Sequence, residues 1–507
     1  MTQEQLPPNK LLFYRTKTLI PSNRMRRKKY YINSILKKFL PNYQSAIIHF
    51  FGIILLGVFG SILPISAQQG WKTIHLQEAL EKSTQNYPLI QARVSEKSSV
   101  ALQKKAAQSE YLPQLQLQHQ YSYGSSNNLH GSFSPNEVIG ISTSGTVRPE
   151  DNYQAVFGNL SALQIDWKIF QFGKTRSDIQ NYQQQYSLAE AVYENEVFQH
   201  QIKVIDQYLQ LLNSYKISEV QKKNVRRAEV FKESVTAFVR SGIKPGVDSF
   251  FADAEYAKAL LLYIEAQQNE AMQQLRFSEL LGERTQLYKV DSMHFFEKTP
   301  IQTPVEDTSA SPLLRIYQRQ ISSRIAQSIA VRRNALPAVY LSGSGIGRGS
   351  GISRSTGVYL SDKTEGLTPQ MYNYLLAVSV RWNITGLIRN QHLYKSGKFS
   401  VEQNRYLYEE QALRLNRQLK EADVQITYCM ESLKLQRTKL RASLDTYLQM
   451  KSRYENGIAD INSFYQSLYL LNKAETDECI ALSNVWRAHL IRCAASGDLD
   501  SFLQQAN

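Results

Sequence analysis

From Lys174 to Arg240 the chain runs for 67 positions without a proline or a glycine. As an α-helix that run is about 100 Å long, roughly three times the ~30 Å hydrocarbon core of a bilayer. Within it Phe198, Ile202, Ile205, Leu209 and Leu212 recur at 4-3-4-3 spacing. A second long segment carries Leu415, Leu419, Ala422, Ile426, Met430 and Leu433 at 4-3-4-4-3 spacing. Near-heptad stripes of this kind pack helices side by side with a coiled-coil twist.

The two long segments belong to a tandem duplication. Pro88 opens a helix that Pro113 closes 25 positions on, and Pro312 and Pro337 repeat the arrangement at the same separation. A proline costs nothing at the first helical position, where its missing N–H has no partner to lose, and the next one stops the helix. Trp167 and Trp382, Gly242 and Gly457, and Gly282 and Gly497 all differ by 215. The one change of length falls between proline and tryptophan, 54 positions in the first half and 45 in the second, which marks an exposed connection.

Each half therefore reads as helix, strand, loop, strand, very long helix, turn, helix. In LPQLQLQHQYSYG, Leu115, Leu117, His119, Tyr121 and Tyr123 alternate with Gln114, Gln116, Gln118, Gln120 and Ser122. Leu163, Ile165, Trp167 and Ile169 alternate with Gln164, Asp166 and Lys168, and Leu376, Val378, Val380, Trp382 and Ile384 with Ala377, Ser379, Arg381 and Asn383. Period-two alternation describes strands with one apolar face. The expected elements are helix 87–112, strands 114–123 and 160–170, long helix 174–240 and helix 247–282, giving a first repeat over 68–282. A linker, 283–311, leads to a second repeat over 312–498: helix 312–336, strands 338–344 and 373–384, long helix 387–456 and helix 461–496, with a short tail at 499–507. The segments near 124–158 and 343–371, rich in Gly, Ser, Asn and Thr, read as loops. GSGIGRGSG, from Gly343, lacks the Lys-Ser/Thr ending of a phosphate cradle and reads as a flexible loop tip.

The net charge of +15 suggests nucleic acid only until it is located. Residues 1–67 carry ten Lys or Arg against Glu4 alone, a net +9, so the rest of the chain holds +6 with both signs interspersed. That is a solvated-face pattern rather than a basic groove. The basic stretch runs into AIIHFFGIILLGVFGSIL and then PISAQQ, the order of a secretory signal peptide, with cleavage expected after Ala67 and Met25 the more ordinary start. An uncleaved anchor is the alternative, because the apolar run approaches the ~20 residues that span a bilayer. Cys429, Cys479 and Cys493 lack CxxC spacing and read as free thiols.

The eight histidines show no HxxH or HExxH, no GxSxG occurs, and no Cys/His cluster has metal-ligand spacing. The chain is thus read as neither an enzyme nor a cofactor protein. Four strands with one lipid-compatible face suit a membrane barrel, yet the smallest such barrels need ~8 strands, so the chain must oligomerise to close. Leu115, Leu117, Tyr121, Tyr123, Leu163, Ile165, Trp167, Leu376, Val378, Val380 and Trp382 would then face lipid or its interface, with the glutamines lining water. A periplasmic or surface coiled-coil adaptor or adhesin without a pore is the rival reading.

The elements LQEALEKSTQNYPLI, EYLPQL, WKIFQFGKTR, VRSGIKPGVDSF and LLGE, repeated in altered form downstream, resemble the TolC-like outer-membrane efflux protein family over about 75–498. The resemblance implies a mainly α fold with β: a homotrimer with a 12-stranded barrel in the outer membrane continuous with a helical tunnel in the periplasm. It implies a periplasmic adaptor and an inner-membrane pump as partners, and export of small molecules or polypeptides. It also implies that the tunnel closes at the turns SGIKPGVDSF and NGIADINSF, around Gly242 and Gly457. The family's acidic positions, six and nine after the second glycine, are here Ser463 and Gln466, so the acidic pair is not retained, and Asp460, three after Gly457, and Asp248, six after Gly242, are candidates for the aperture if they face the axis. Three like charges brought together on the axis would have raised pKa values and favour cations.

Replacing Leu117 or Ile165 with Arg is expected to impair membrane assembly at about 2–4 kcal/mol near the midplane. Gln116→Arg is expected to assemble and to alter conductance. Outer-membrane fractionation and single-channel recording compare the two kinds of position.

Overall fold

The computed structural model describes residues 72–125, 127, 150–283, 287–290, 295–296, 298–301, 308–360, 362 and 364–506. The leader sequence, Ala67 and most of the loop after residue 125 lie outside them. The first repeat contains β1 (Lys72–Ile74), α1 (Leu76–Asn86), α2 (Pro88–Ser109), β2 (Gln114–Gly124), β3 (Val156–Phe170), α3 (Lys174–Arg240) and α4 (Gly246–Leu280). After β4 (Tyr288–Val290) the second contains α5 (Pro312–Arg333), β5 (Ala338–Ser350), β6 (Met371–Arg381), α6 (Gly386–Glu455), α7 (Ile461–Ser496) and a final α8 (Asp500–Ala506).

The prolines act as their positions predict. Pro88 and Pro312 begin α2 and α5, each 22 residues long. At the other end Trp167 Nε1 donates to Tyr111 O at 2.9 Å, and Trp382 Nε1 to Ala335 O at 3.0 Å. Each acceptor lies two residues before the closing proline and two residues past the last residue of the helix. The two indoles thus perform one task in duplicate, tying the second strand of each repeat to the end of its first helix.

β2, β3, β5 and β6 form one antiparallel sheet in that order. The helices follow the same sequence of neighbours. α3 and α6, of 67 and 70 residues, run the length of the helical part. Near the sheet α2 packs on α3, α3 on α5 and α5 on α6; farther away α4 packs on α3, α3 on α7 and α7 on α6. One edge of the chain is therefore β2, α2 and α4, and the other is β6 and α6.

The heptad-like stripes supply the packing. Phe198, Ile205, Leu209 and Leu212 are buried, as are Leu415, Leu419, Ala422, Ile426 and Leu433, while Ile202 and Met430 pack partly buried against the same core. Each fully buried side chain of this size contributes roughly 1.5–3 kcal/mol. The largest cluster gathers Tyr208, Phe277, Trp486 and Phe502 around a short parallel pair, β1 with β4. A second, at the far end, joins Phe231, Val235, Ala252, Tyr454 and Phe464.

Four local expectations are corrected. Gly343 to Ser350, read as a loop, continue β5, because the ladders from β3 and β6 satisfy its backbone on both sides and its glycines pack against β6 and the loop preceding it. The tail is helical, and Leu499, Phe502 and Ala506 insert into the core. The linker contains β4, whose two buried residues of three gave too short a pattern to detect. Trp382, placed in a strand, follows the end of β6.

The duplicated glycines serve two different needs. Gly242 and Gly457 have φ of +72° and +74°, and the N–H groups of Ile243 and Lys244 turn back to Phe238 O as those of Ile458 and Ala459 do to Arg453 O. This is the left-handed helix end that glycine adopts most cheaply. Gly282 and Gly497 also have positive φ, and a Cβ there would lie 2.8 Å from Asn86 O or 2.6 Å from Ser311 Cα. Gly242→Ala is expected to cost only the conformational ~1–2 kcal/mol. Gly282→Ala and Gly497→Ala are expected to cost clearly more, as thermal unfolding of the purified protein would report.

Candidate functional site: an inverted sheet and two helical tips

The register of the sheet puts like with like. Leu115, Ile165, Gly343 and Leu376 share one row, Leu117, Leu163, Gly345 and Tyr374 another, and Trp167, Leu341 and Val378 a third. All lie on one face. The opposite face carries Gln114, Asp166, Ser342 and Ala377 in one row and Gln116, Gln164, Ser344 and Leu375 in the next.

Exposure runs against the rule for a soluble sheet. In β6, Tyr374 is 85% exposed and Leu376 77%, with Tyr372, Val378 and Val380 similar, while Asn373, Leu375, Ala377 and Ser379 between them are half-buried. In β3, Leu163, Ile165, Trp167 and Ile169 are exposed and Gln164, Asp166 and Lys168 half-buried. All eleven side chains expected to face lipid are exposed, Leu115, Leu117, Tyr121, Tyr123 and Trp382 among them. A contiguous exposed apolar surface of this extent marks an interaction surface.

Aromatic residues bound the face at both ends. Trp167, Phe170, Phe172 and Trp382 lie at the helical end, and Tyr121, Tyr123, Phe157 and Tyr372 toward the other. Ten residues of β3 separate Phe157 from Trp167. That is about 33 Å along the strand, or about 25 Å along an axis inclined at the ~40° usual for barrels, which equals the height of an outer-membrane apolar band.

The polar face is charged near the helices. Asp166 accepts from Ser342 Oγ at 2.7 Å and from Arg381 Nη1 at 3.4 Å, and the Arg381 guanidinium lies 4.1 Å from the Tyr340 ring centre. Lys168 pairs with Glu110 at 2.9 Å.

Both edges of the chain are unfinished. Among the described residues, β2 and β6 each have a strand on one side only. Beside them, Leu261, Ile264, Met272 and Leu275 of α4 are exposed, as are Phe399, Tyr406, Leu413, Val424, Tyr428 and Leu435 of α6.

At the tips the predicted carboxylates are put to local use. Asp460 caps α7, accepting from Ser463 N and Ser463 Oγ, both at 2.8 Å, and these bonds hold its carboxyl below the usual range. Ser463 is thereby turned to the cap, while Gln466 is exposed. Asp248, half-buried on α4, acts electrostatically on Tyr454 of α6, whose phenol is pushed up to about 12 by burial and by that charge. Lys244 sits 5.3 Å from the centre of the same ring. Sequence reasoning missed Tyr454 and an apolar rim: Ile243, Val247, Phe250 and Ile458 are all exposed. The signal was present, since each turn glycine is followed by isoleucine.

Residues 79–283 match the outer membrane efflux protein family. The matched segment is 205 of the chain's 507 residues. It covers the first repeat, and the second follows it in the same order of elements. Among solved structures the chain is similar to the outer-membrane channel OprN at 16% identity, with 83% of this chain and 89% of that one covered and a TM-score of 0.64. VceC of Vibrio cholerae gives 12% identity, 83% and 96% coverage and a TM-score of 0.63, and the open MtrE channel of Neisseria gonorrhoeae 14%, 83%, 89% and 0.65. At such identities the likeness establishes the fold, that of outer-membrane channels with a β-sheet portion and long helices. No curated protein matches the chain by sequence.

The Asp460 cap has a defined pH dependence. A carboxyl depressed in the folded state stabilises fully above its unfolded pKa of about 3.9 and loses that contribution as pH falls through the folded value. Asp460→Ala is expected to lower the unfolding temperature at neutral pH, with the difference from the parent protein vanishing in acid.

Proposed function

We propose that three copies of the chain assemble into a passive outer-membrane conduit that carries solutes out of a Gram-negative cell. The observation carrying this reading is the inverted sheet: apolar side chains outward, polar ones inward, aromatic belts one apolar-band height apart, and an unpaired strand at each edge. Backbone groups cannot be left unpaired in hydrocarbon, so β2 of one copy pairs with β6 of the next. Three four-stranded sheets give a 12-stranded barrel, wide enough for a water-filled lumen. The same contact brings α2 and α4 against α6, covering the exposed apolar side chains of both edges.

The helices then continue the wall into the periplasm, where α3 and α6 alone reach about 100 Å. The conduit performs no chemistry and has no energy source. A periplasmic adaptor docked on the helical part and an inner-membrane pump behind it supply both direction and energy, as in tripartite efflux or type I secretion. The family match and the fold of the neighbouring channels support this reading.

Purified protein is expected to migrate in gels as a heat-sensitive trimer and to give discrete conductance steps in planar bilayers. Leu275→Asp and Tyr428→Asp, one on each helical edge, are expected to abolish the trimer band. A detergent-free, monomeric protein without channel activity would overturn the proposal.

A further inference from the structure

Among the described residues, the lumen face of the sheet contains one charge without a partner. Near the helices the charged side chains are matched: Lys168 with Glu110, and Arg381 with Asp166. Toward the far end the rows Gln116–Gln164–Ser344–Leu375 and Gln118–Ala162–Ile346–Asn373 are uncharged. The next row is Gln120–Leu160–Arg348–Met371. Arg348 is half-buried there, and among the described residues it has no ion pair, hydrogen bond from its side chain or aromatic partner.

Its side is fixed by its neighbours. Gly347 and Gly349 have their Cβ directions toward Tyr372, Pro369 and Thr368 on the outward face, so Arg348 between them points inward. Six residues of β5 separate it from Ser342, the row of Asp166, which is about 20 Å along the strand. The Debye length is ~8 Å at physiological salt, so that carboxylate does not neutralise it. The acids in the described part of the mouth, Glu150, Asp151, Asp362 and Glu365, form no ion pair with it either, and Asp362 is occupied by Thr364 N and Thr364 Oγ.

We propose that Arg348 is an anion-binding residue of the barrel lumen, three copies forming a ring near the outer mouth that selects for carboxylate- or phosphate-bearing solutes. The proposal rests on the trimeric conduit. The guanidinium offers a planar fork of donors that matches a carboxylate or phosphate, and walls of low dielectric concentrate the field of the ring. Rings of Arg or Lys confer anion preference on pores by this means. The glutamines of β2 in the same rows add neutral hydrogen-bonding groups without competing charge.

The test uses the reconstituted trimer under a KCl gradient, with citrate as the probe anion. Arg348→Gln is expected to move the reversal potential toward cation selectivity, and Arg348→Glu farther. The citrate concentration that half-blocks the current is expected to rise about tenfold in Arg348→Gln, as charge-assisted bonds are lost from a wet site. Arg354→Gln, in the exposed loop after β5, is expected to leave both unchanged. Channels whose reversal potential and citrate block are the same with Arg348 and Arg348→Gln would overturn this proposal while leaving the conduit intact; an absence of channels in the parent protein would overturn the conduit itself.

Discussion

Every peptide group placed in hydrocarbon needs a partner, and this chain cannot supply all of its own. Its four strands pair internally along three seams and leave β2 and β6 open. An exposed strand edge is ordinarily blunted by charge, proline or a covering loop. Here both edge strands carry Leu, Tyr or Val on their outward faces, so the edges are suited to pairing within an apolar phase and to little else. The apolar edges of α4 and α6 extend the same incompleteness through the helical part. In the proposed conduit, assembly and membrane insertion are thus two consequences of one deficit.

The duplication explains why so much detail recurs. The tryptophan that anchors β3 to the end of α2 has a counterpart at the same 215-residue offset performing the same bond, and the glycines at the helix ends recur with the same sign of φ. These positions are dictated by geometry that both halves must solve. Positions that differ between halves are the ones released from that requirement: His200, which stacks on Tyr87 and bonds to Leu280 O, falls opposite Leu415.

Periodicity made the strands and long helices legible, because a period of two and a near-heptad stripe survive in the sequence whatever surrounds them. The polarity of the sheet was legible for the same reason. What escaped were features set by tertiary contact. β5 looks like a loop in composition, with glycine at alternate positions, and is a strand because its neighbours complete its ladders. β1 and β4 are three residues each and exist only as a pair. At the tips Asp460 caps its own helix, and the aromatic pairing of Tyr454 with Phe464 has no local pattern to announce it.

The two indole bonds also divide the molecule mechanically. Where sheet meets helices, each repeat is fastened across the joint by a directional bond from an indole to a backbone carbonyl. At the opposite end the hairpins are held by glycine turns, by ring packing and by two polar contacts between helices, Lys232 with Asp253 at 2.9 Å and Lys258 with Tyr465 at 3.0 Å. In the proposed conduit each repeat is thus nailed at the head, so a strand and the helix end it is fastened to move there as one piece.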